Sequence, residues 1–219
     1  MDLPAIIVNF KTYKSATGDK ALSLAKIHEE VAKETGCEIA VCVQPADIYR
    51  ISSEISIPVF AQHIDAAEFG SNTGQIIAES IKQAGAYGTL LNHAEKPISM
   101  KEIENSLKRA EQNGLFTIVC ANDPETGKKI KQLNPDLIAL EPPELIGGDV
   151  SVSEAKPKII KKAVELIGKN KLLVGAGVKN GNDVKKAIEF GAKGVLLASG
   201  VTKANNPKAV LYDLAKGLL

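Results

Sequence analysis

Acidic, basic and imidazole side chains follow several short apolar runs of this 219-residue chain, at the point where each run ends. Lys11 follows the first run, His93 follows the fourth, and Glu141 ends the sixth, just before two prolines. A carboxylate can remove a proton from carbon, an imidazole can polarise a carbonyl, and a lysine can stabilise developing negative charge. If the fold brings these groups together, they predict acid–base chemistry on an anionic substrate.

Two segments of small residues follow the last two apolar runs. Gly175-Ala176-Gly177 and Ala198-Ser199-Gly200 leave their backbone N–H groups open to close approach by an anion. Each feature also has an ordinary explanation: a Gly-rich turn, a solvated Lys11, or a core His93 with a structural hydrogen bond. The glycines at 175, 177 and 181 are spaced one residue too widely for a dinucleotide turn, and no Walker-type phosphate loop is present.

The elements that must position these groups alternate between short apolar runs and longer segments with helical spacing. The runs are residues 5–9, 38–43, 57–62, 88–92, 115–120, 136–141, 171–175 and 194–198. Most of them lack polar/apolar alternation, which is typical of parallel strands covered on both faces. Eight such units predict one closed (β/α)8 barrel over residues 1–219, with an open doubly wound sheet as the alternative. Barrel active sites lie at the carboxyl ends of the strands, where the candidate residues stand.

Two local expectations concern the helical segments. His28 lies in the first segment, among lysines and glutamates, and we expect its side chain to be solvated. The stretch from Ala94 to Met100 follows His93, and we expect it to begin a short helix. The N-terminus of that helix would disfavour a positively charged imidazole at His93.

Composition excludes several classes of protein. The chain has 27 basic and 26 acidic residues and a net charge of +1, without the basic stripe of a nucleic-acid-binding protein. No apolar run approaches the length of a membrane span, and residues 5–8 are too short for a signal-peptide core, so we expect a cytoplasmic protein. Neither the cysteines nor the widely spaced histidines indicate a metal cluster, and we expect buried, reduced thiols. The cysteines are Cys37, Cys42 and Cys120.

Three motifs at the strand ends resemble the triosephosphate isomerase family, in its shorter archaeal-type branch. They are Asn9-x-Lys11, Asn92-His93-x-Glu95-Lys96, and Glu141-Pro142 followed by Ile146-Gly147. The resemblance covers the whole chain in the family's order. It implies an aldose–ketose isomerase that interconverts glyceraldehyde 3-phosphate and dihydroxyacetone phosphate through an enediolate, in glycolysis and gluconeogenesis. It also implies that the enzyme needs no metal or organic cofactor.

The resemblance further implies a role for each matching residue. Glu141 corresponds to the catalytic base and His93 to the electrophile, while Lys11 and Asn9 correspond to the residues that bind substrate near its reacting oxygen. Glu95 corresponds to a carboxylate that supports the site. The residues that correspond to backbone phosphate contacts are Ile146, Gly177, Ala198 and Ser199.

A lid and a subunit contact follow from the same resemblance. The lid residues are Pro142, Pro143, Glu144, Leu145, Ile146, Gly147 and Gly148. Glu144 stands where relatives commonly carry Trp, and Ala94 stands where they usually carry Ser. Thr73 corresponds to a position that contacts a neighbouring subunit. The resemblance therefore implies a homo-oligomer, either a dimer or the tetramer associated with the archaeal-type branch.

Two alternatives remain open from the sequence. Another sugar-phosphate barrel enzyme would account for the two small-residue segments, although not for the Asn9 and His93 motifs together. A noncatalytic barrel that binds phosphate-bearing metabolites would show ligand binding without turnover, and it would tolerate substitution of Glu141 and His93.

Overall fold

Eight parallel strands close into a barrel in the computed structural model, which describes residues 1–142 and 157–219. Each strand pairs in parallel with the next, and the last pairs with the first through Ile6 and Val195. The strands are β1 Ala5–Asn9, β2 Glu38–Val43, β3 Val59–Ala61, β4 Gly88–Leu91, β5 Phe116–Ala121, β6 Leu137–Leu140, β7 Leu172–Gly175 and β8 Gly194–Leu197. The prediction of a closed (β/α)8 barrel is confirmed, and the open doubly wound sheet is wrong. The assignment of residues 1–219 to one domain stays a prediction.

Helices connect the strands and cover the outside of the barrel. Those that the structure describes are Asp19–Thr35, Pro45–Ser52, Ala78–Gln83, Met100–Gln112, Pro124–Lys131, Pro157–Ile167, Gly181–Glu189, Ser199–Thr202 and Pro207–Lys216, with a 3-10 turn at Lys14–Ala16. The 124–131 helix begins where the Asp123 side chain accepts a hydrogen bond from the backbone N–H of Thr126 and Pro124 opens the first turn. None of the described helices is long and apolar enough to cross a membrane.

The strands are apolar throughout because both of their faces are buried. Side chains that point into the barrel form a small inner core, and those that point outward form a larger core with the helices. The inner core contains Ile7, Ala40, Cys42, Phe60, Leu90, Ile118, Cys120, Leu137, Ala139, Leu173 and Leu196. Cys37, Cys42 and Cys120 are all buried free thiols, as expected.

The expectation that His28 is solvated is wrong. Its side chain is fully buried in the 19–35 helix, with Nδ1 2.7 Å from the carbonyl oxygen of Leu24 and its ring 5.3 Å from the Phe10 ring. Leu24, His28 and Val31 follow helical spacing, so His28 belongs to the apolar stripe despite its charged neighbours. Burial lowers the pKa of His28 to about 4, against the partial opposing effect of the hydrogen bond to Leu24.

Candidate active site

A pocket opens at the carboxyl ends of the strands and gathers most of the residues that the sequence singles out. Because parallel strands place their carboxyl ends at one rim, residues that are far apart in the chain meet there. Glu95 lies at the edge of an adjoining cavity with Lys11 and His93. The pocket is lined by Asn9, Lys11, Tyr13, His93, Glu141, Ala176, Gly177, Val178, Lys179, Leu196, Leu197, Ala198, Ser199 and Gly200.

Glu141 and His93 face each other at the bottom of this pocket. Both are nearly buried, and Glu141 Oε1 lies 3.6 Å from His93 Nε2. That distance is too long for a hydrogen bond, so each group is available to a bound substrate. The second carboxylate oxygen of Glu141, Oε2, is buried and has no hydrogen-bond partner among the described residues. The backbone N–H of Glu141 donates to the Ala121 carbonyl at 2.8 Å, which fixes the residue at the end of β6.

The environment of Glu141 makes its carboxylate a stronger base. Burial is the largest effect and raises the pKa of Glu141 above the usual glutamate value. The thiol of Cys120 and the ammonium group of Lys11 act in the opposite direction, because a hydrogen-bond donor and a nearby cation both favour the charged carboxylate. Gly175 at the end of β7 leaves room for the side chain, since a Cβ there would lie 2.6 Å from Glu141 Cγ.

Hydrogen bonds around His93 define which ring nitrogen carries the proton. The backbone N–H of Glu95 donates to Nδ1 at 3.1 Å, so Nδ1 acts as an acceptor. The ring is then a neutral imidazole with its proton on Nε2, the nitrogen that faces Glu141. The expected helix after His93 is wrong, because residues 94–99 are not helical, with a turn at residues 94–95, and the helix begins at Met100. Ser99 and Glu102 cap it there through reciprocal side-chain to backbone hydrogen bonds.

Lys11 projects into the pocket from a left-handed backbone conformation, with φ at 48°. Its backbone N–H donates to Asn9 Oδ1 at 3.0 Å, and its carbonyl accepts a hydrogen bond from Gln62 Nε2 at 2.9 Å. Its ammonium group donates to Glu95 Oε1 at 2.7 Å. The Lys11 side chain is 12% exposed and that of Glu95 is 58% exposed, so the lysine is held inside the rim by a carboxylate on the outside.

The two small-residue segments line the same pocket next to Lys11. Gly177 has φ at 70° and Ala176 has φ at 125°, so the turn after β7 follows a path that few side chains would allow. Ala198 immediately precedes the short Ser199–Thr202 helix, and a Cβ at Gly200 would lie 3.2 Å from the Val178 carbonyl oxygen. The backbones after β7 and β8 therefore pack closely against each other, and both segments border the pocket.

Other residues of the sequence-based assignment lie elsewhere. Pro142 is buried beside the pocket, whereas the remaining lid residues, at 143–148 and including Ile146, lie outside the described residues. Thr73 lies on an exposed loop and does not line the pocket. Among the residues that the structure describes, no group of three or more His, Cys, Asp and Glu side chains is arranged to hold a metal ion.

Three further groups shape the site, and sequence reasoning gave none of them a role of its own. Gln62 holds the backbone of Lys11, Asn92 anchors the turn that follows β4, and Tyr13 forms part of the pocket wall. Asn92 carried a signal, because asparagine just past a strand end often adopts a left-handed conformation, and its φ is 56°. The contacts of Gln62 join distant strands and have no local signature.

The closed (β/α)8 barrel carries a buried carboxylate that faces a neutral imidazole. A lysine lies beside the backbone of the two small-residue segments, 175–177 and 198–200, which together form the small-residue cradle. This arrangement defines an acid–base enzyme for small anionic substrates. Comparison with known proteins agrees with this class. A family model of triosephosphate isomerase matches residues 4–216. The chain therefore belongs to the triosephosphate isomerase family, a family of isomerases.

Individual relatives cover nearly the whole chain. The triosephosphate isomerase of Methanobacterium bryantii is 50% identical over 217 residues, which are 97% of this chain and 96% of the relative. That of Methanosarcina barkeri is 47% identical over 220 residues, 99% of each chain. A crystal structure of triosephosphate isomerase from Bartonella henselae is similar in fold, with a TM-score of 0.71 over 95% of this chain and 98% of that chain at 20% identity.

Proposed function

We propose that this protein interconverts glyceraldehyde 3-phosphate and dihydroxyacetone phosphate through an enediolate intermediate. The observation that carries the proposal is the buried pair of Glu141 and His93, whose Oε1 and Nε2 atoms lie 3.6 Å apart beside the small-residue cradle. The reaction moves a hydrogen between adjacent carbons of a sugar phosphate, so it needs a base, a hydrogen-bond donor for the oxygens and a holder for the phosphate.

Glu141 removes the proton from the carbon next to the carbonyl. The electrons of that C–H bond form the carbon–carbon double bond of the enediolate, and the negative charge moves to the former carbonyl oxygen. Glu141 then returns the proton to the former carbonyl carbon, which completes the isomerisation. Burial supports this role, because it raises the pKa of Glu141 and so strengthens its affinity for a carbon-bound proton.

His93 acts on the two substrate oxygens. A neutral imidazole that carries its proton on Nε2 can donate a hydrogen bond to the enediolate oxygen and exchange a proton between the two oxygens. The hydrogen bond from the Glu95 N–H to Nδ1 supports the required tautomer. This use of a neutral histidine with a glutamate base is the established mechanism of the family.

Lys11 and Asn9 bind the substrate between its reacting oxygen and its phosphate. A fixed ammonium group there attracts the anionic substrate and stabilises the charge of the enediolate. Glu95 supports Lys11 through the 2.7 Å ion pair. The phosphate is bound by backbone N–H groups of Gly177, Ala198 and Ser199. By resemblance to the family we also assign a phosphate contact to Ile146 and a lid that keeps water away from the enediolate to residues 142–148, of which 143–148 lie outside the described residues.

A coupled assay with glyceraldehyde 3-phosphate tests the proposed reaction. We expect turnover without added metal or cofactor, and we expect Glu141→Gln to lose it. Another sugar-phosphate barrel enzyme would show no triose isomerisation. A noncatalytic barrel would bind the substrate or phosphoglycolate with no turnover, and its binding would survive substitution of Glu141 and His93.

We further propose that the protein acts in the cytoplasm, in glycolysis and gluconeogenesis. Its three free, buried thiols are compatible with a reducing compartment. Fractionation of cells that produce the protein should recover the isomerase activity with the cytoplasmic contents. Recovery in the membrane or exported fraction would contradict this location.

A homo-oligomer, and specifically a homotetramer, is the proposed assembly. The loop that carries Thr73 also presents Phe69, whose side chain is 73% exposed. Two hydrogen bonds between Asp65 and Ile76 close the base of this loop. The Asp65 N–H donates to the Ile76 carbonyl at 2.8 Å, and Asp65 Oδ2 accepts from the Ile76 N–H at 2.7 Å. A large apolar group on a firmly based loop suits insertion into another subunit.

Light scattering after size-exclusion chromatography tests the assembly. We expect four times the 23.2 kDa of one chain. Phe69→Ser should lower the mass, whereas Tyr49→Ser, which removes a similarly exposed aromatic group on the 45–52 helix, should leave it unchanged. A wild-type mass of one chain would contradict oligomerisation, and a mass of two chains would contradict the tetramer.

A further inference from the structure

Asn92 connects three parts of the active-site rim through one side chain. It lies directly between β4 and His93 and adopts a left-handed conformation with φ at 56°. Its Nδ2 donates to the Cys120 carbonyl oxygen in β5 at 2.9 Å, and its Oδ1 accepts from the Ile98 N–H at 3.0 Å. Both ends of the amide are therefore used, one toward the barrel and one toward the far end of the turn that follows.

The turn that Asn92 closes is the one that orients His93. Within it, the Glu95 N–H donates to His93 Nδ1 at 3.1 Å and the Lys96 N–H donates to the His93 carbonyl at 2.8 Å. The Glu95 N–H can reach Nδ1 only while the backbone between residues 93 and 98 keeps this compact path. The hydrogen bond from Ile98 to Asn92 Oδ1 holds the end of that path in place.

We propose that Asn92 is a positioning residue for the isomerisation: its amide fixes the turn that sets the tautomer and orientation of His93. The inference rests on the proposed function only in its kinetic part, because the tautomer of His93 can be observed without turnover. Asn92 does not line the pocket, so it acts through His93 rather than on the substrate. Its contact with Cys120 also ties the turn to a strand whose thiol contacts Glu141.

The residue type follows from the two demands on this position. Asparagine tolerates a left-handed φ better than most residues, and its amide supplies one donor and one acceptor at the required places. Glycine would adopt the same backbone with less strain but would lose both hydrogen bonds. Aspartate would keep the acceptor for the Ile98 N–H and lose the donor to Cys120. These variants separate the backbone conformation from the two hydrogen bonds.

Asn92→Gly is the main test, and Asn134→Gly is its matched control. Asn134 also has a left-handed φ, of 53°, but it precedes β6 at the amino-terminal end of the barrel, where its Oδ1 accepts from Lys171 Nζ at 2.8 Å. For Asn92→Gly we expect kcat to fall about 10-fold to 100-fold with KM and phosphoglycolate affinity within about 3-fold of wild type, because displacement of a catalytic group by about 1 Å has effects of this size. Asn134→Gly should keep wild-type kinetics.

Nitrogen-15 NMR of the histidine rings measures the tautomer of His93 directly. If Asn92 only stabilised the fold, its substitution would leave this tautomer unchanged. In the wild-type protein we expect the His93 signals of an imidazole protonated on Nε2, and in Asn92→Gly we expect a mixture of both tautomers. Unchanged His93 signals would overturn the proposal, as would a kcat loss in Asn92→Gly no larger than that in Asn134→Gly. If Asn92→Gly does not fold, Asn92→Ala, which also removes both side-chain hydrogen bonds, provides the same two measurements with the same criteria and with Asn134→Ala as its control. Absence of isomerase activity in the wild type would instead overturn the proposed function and leave the tautomer test standing.

Discussion

Gly175 gives a way to move the proposed base without changing its chemistry. A Cβ at this position would lie 2.6 Å from Glu141 Cγ, 3.1 Å from Cδ and 3.2 Å from Oε1. Ordinary contact begins at about 3.4 Å, so Gly175→Ala requires the Glu141 side chain to move by roughly 0.8 Å. The obstructing atoms belong to a side chain that borders an open pocket, so the side chain can swing aside while the barrel stays intact.

We expect Gly175→Ala to lower kcat by about 100-fold, because a misplacement of about 1 Å can cost this much in a reaction that depends on close approach. The coupled isomerase assay measures kcat and KM, and thermal unfolding with phosphoglycolate measures ligand binding. Ligand binding should be affected less than kcat, since the three atoms nearest to the added methyl group all belong to Glu141. Loss of kcat with binding retained is the pattern expected from displacement of the base.

Gly127→Ala is a matched control for the added methyl group. A Cβ at Gly127 would lie 2.5 Å from Ile167 Cδ1, which is similar crowding against a flexible side chain in the helix layer away from the pocket. We expect this variant to change the melting temperature and to keep wild-type kcat. Activity of Gly175→Ala within 3-fold of the wild type would refute the placement of Glu141 as the base in this geometry.

Two further predictions concern single groups. His28 has a pKa of about 4 in the folded chain and about 6.5 in the unfolded chain. Between these values the unfolded chain binds more protons, so the free energy of unfolding decreases as the pH falls. The loss from this group is about 2 kcal/mol at pH 5. Urea unfolding of His28→Leu should therefore show a smaller loss of stability between pH 7.5 and pH 5, and an equal loss in both proteins would contradict the burial argument. Phosphoglycolate should raise the wild-type melting temperature, and Lys11→Ala should lose most of that shift; an undiminished shift would show that Lys11 does not contact the anion.

The sequence was sufficient for the barrel because its signal is repeated eight times. Continuous apolar runs arise from burial on both faces of each strand, and a parallel closed sheet gathers the carboxyl ends at one rim. Residues as distant as Lys11, His93 and Glu141 could therefore be predicted to meet. Burial of His28 was also readable from its spacing with Leu24 and Val31, although its charged neighbours suggested the opposite.

One local feature had a signal in the sequence, whereas a contact between distant parts of the chain had none. The start of the helix at Met100 was indicated by Ser99 and Glu102, which have capping-box spacing, so the expected helix from Ala94 was an avoidable error. The close approach of Gly175 to Glu141 depends instead on how two strands pack. It is fixed only when the barrel closes, and it requires the structure.

Hydrogen exchange between substrate and solvent tests the central claim, that Glu141 moves a carbon-bound proton, most directly. Dihydroxyacetone phosphate incubated with the wild-type protein in deuterated water should acquire deuterium on its reacting carbon, as followed by proton NMR. Glu141→Gln should slow this exchange by at least about 100-fold, the lower end of the usual contribution of a general base, with its fold retained by circular dichroism. Exchange at close to the wild-type rate in folded Glu141→Gln would contradict the assignment of the base.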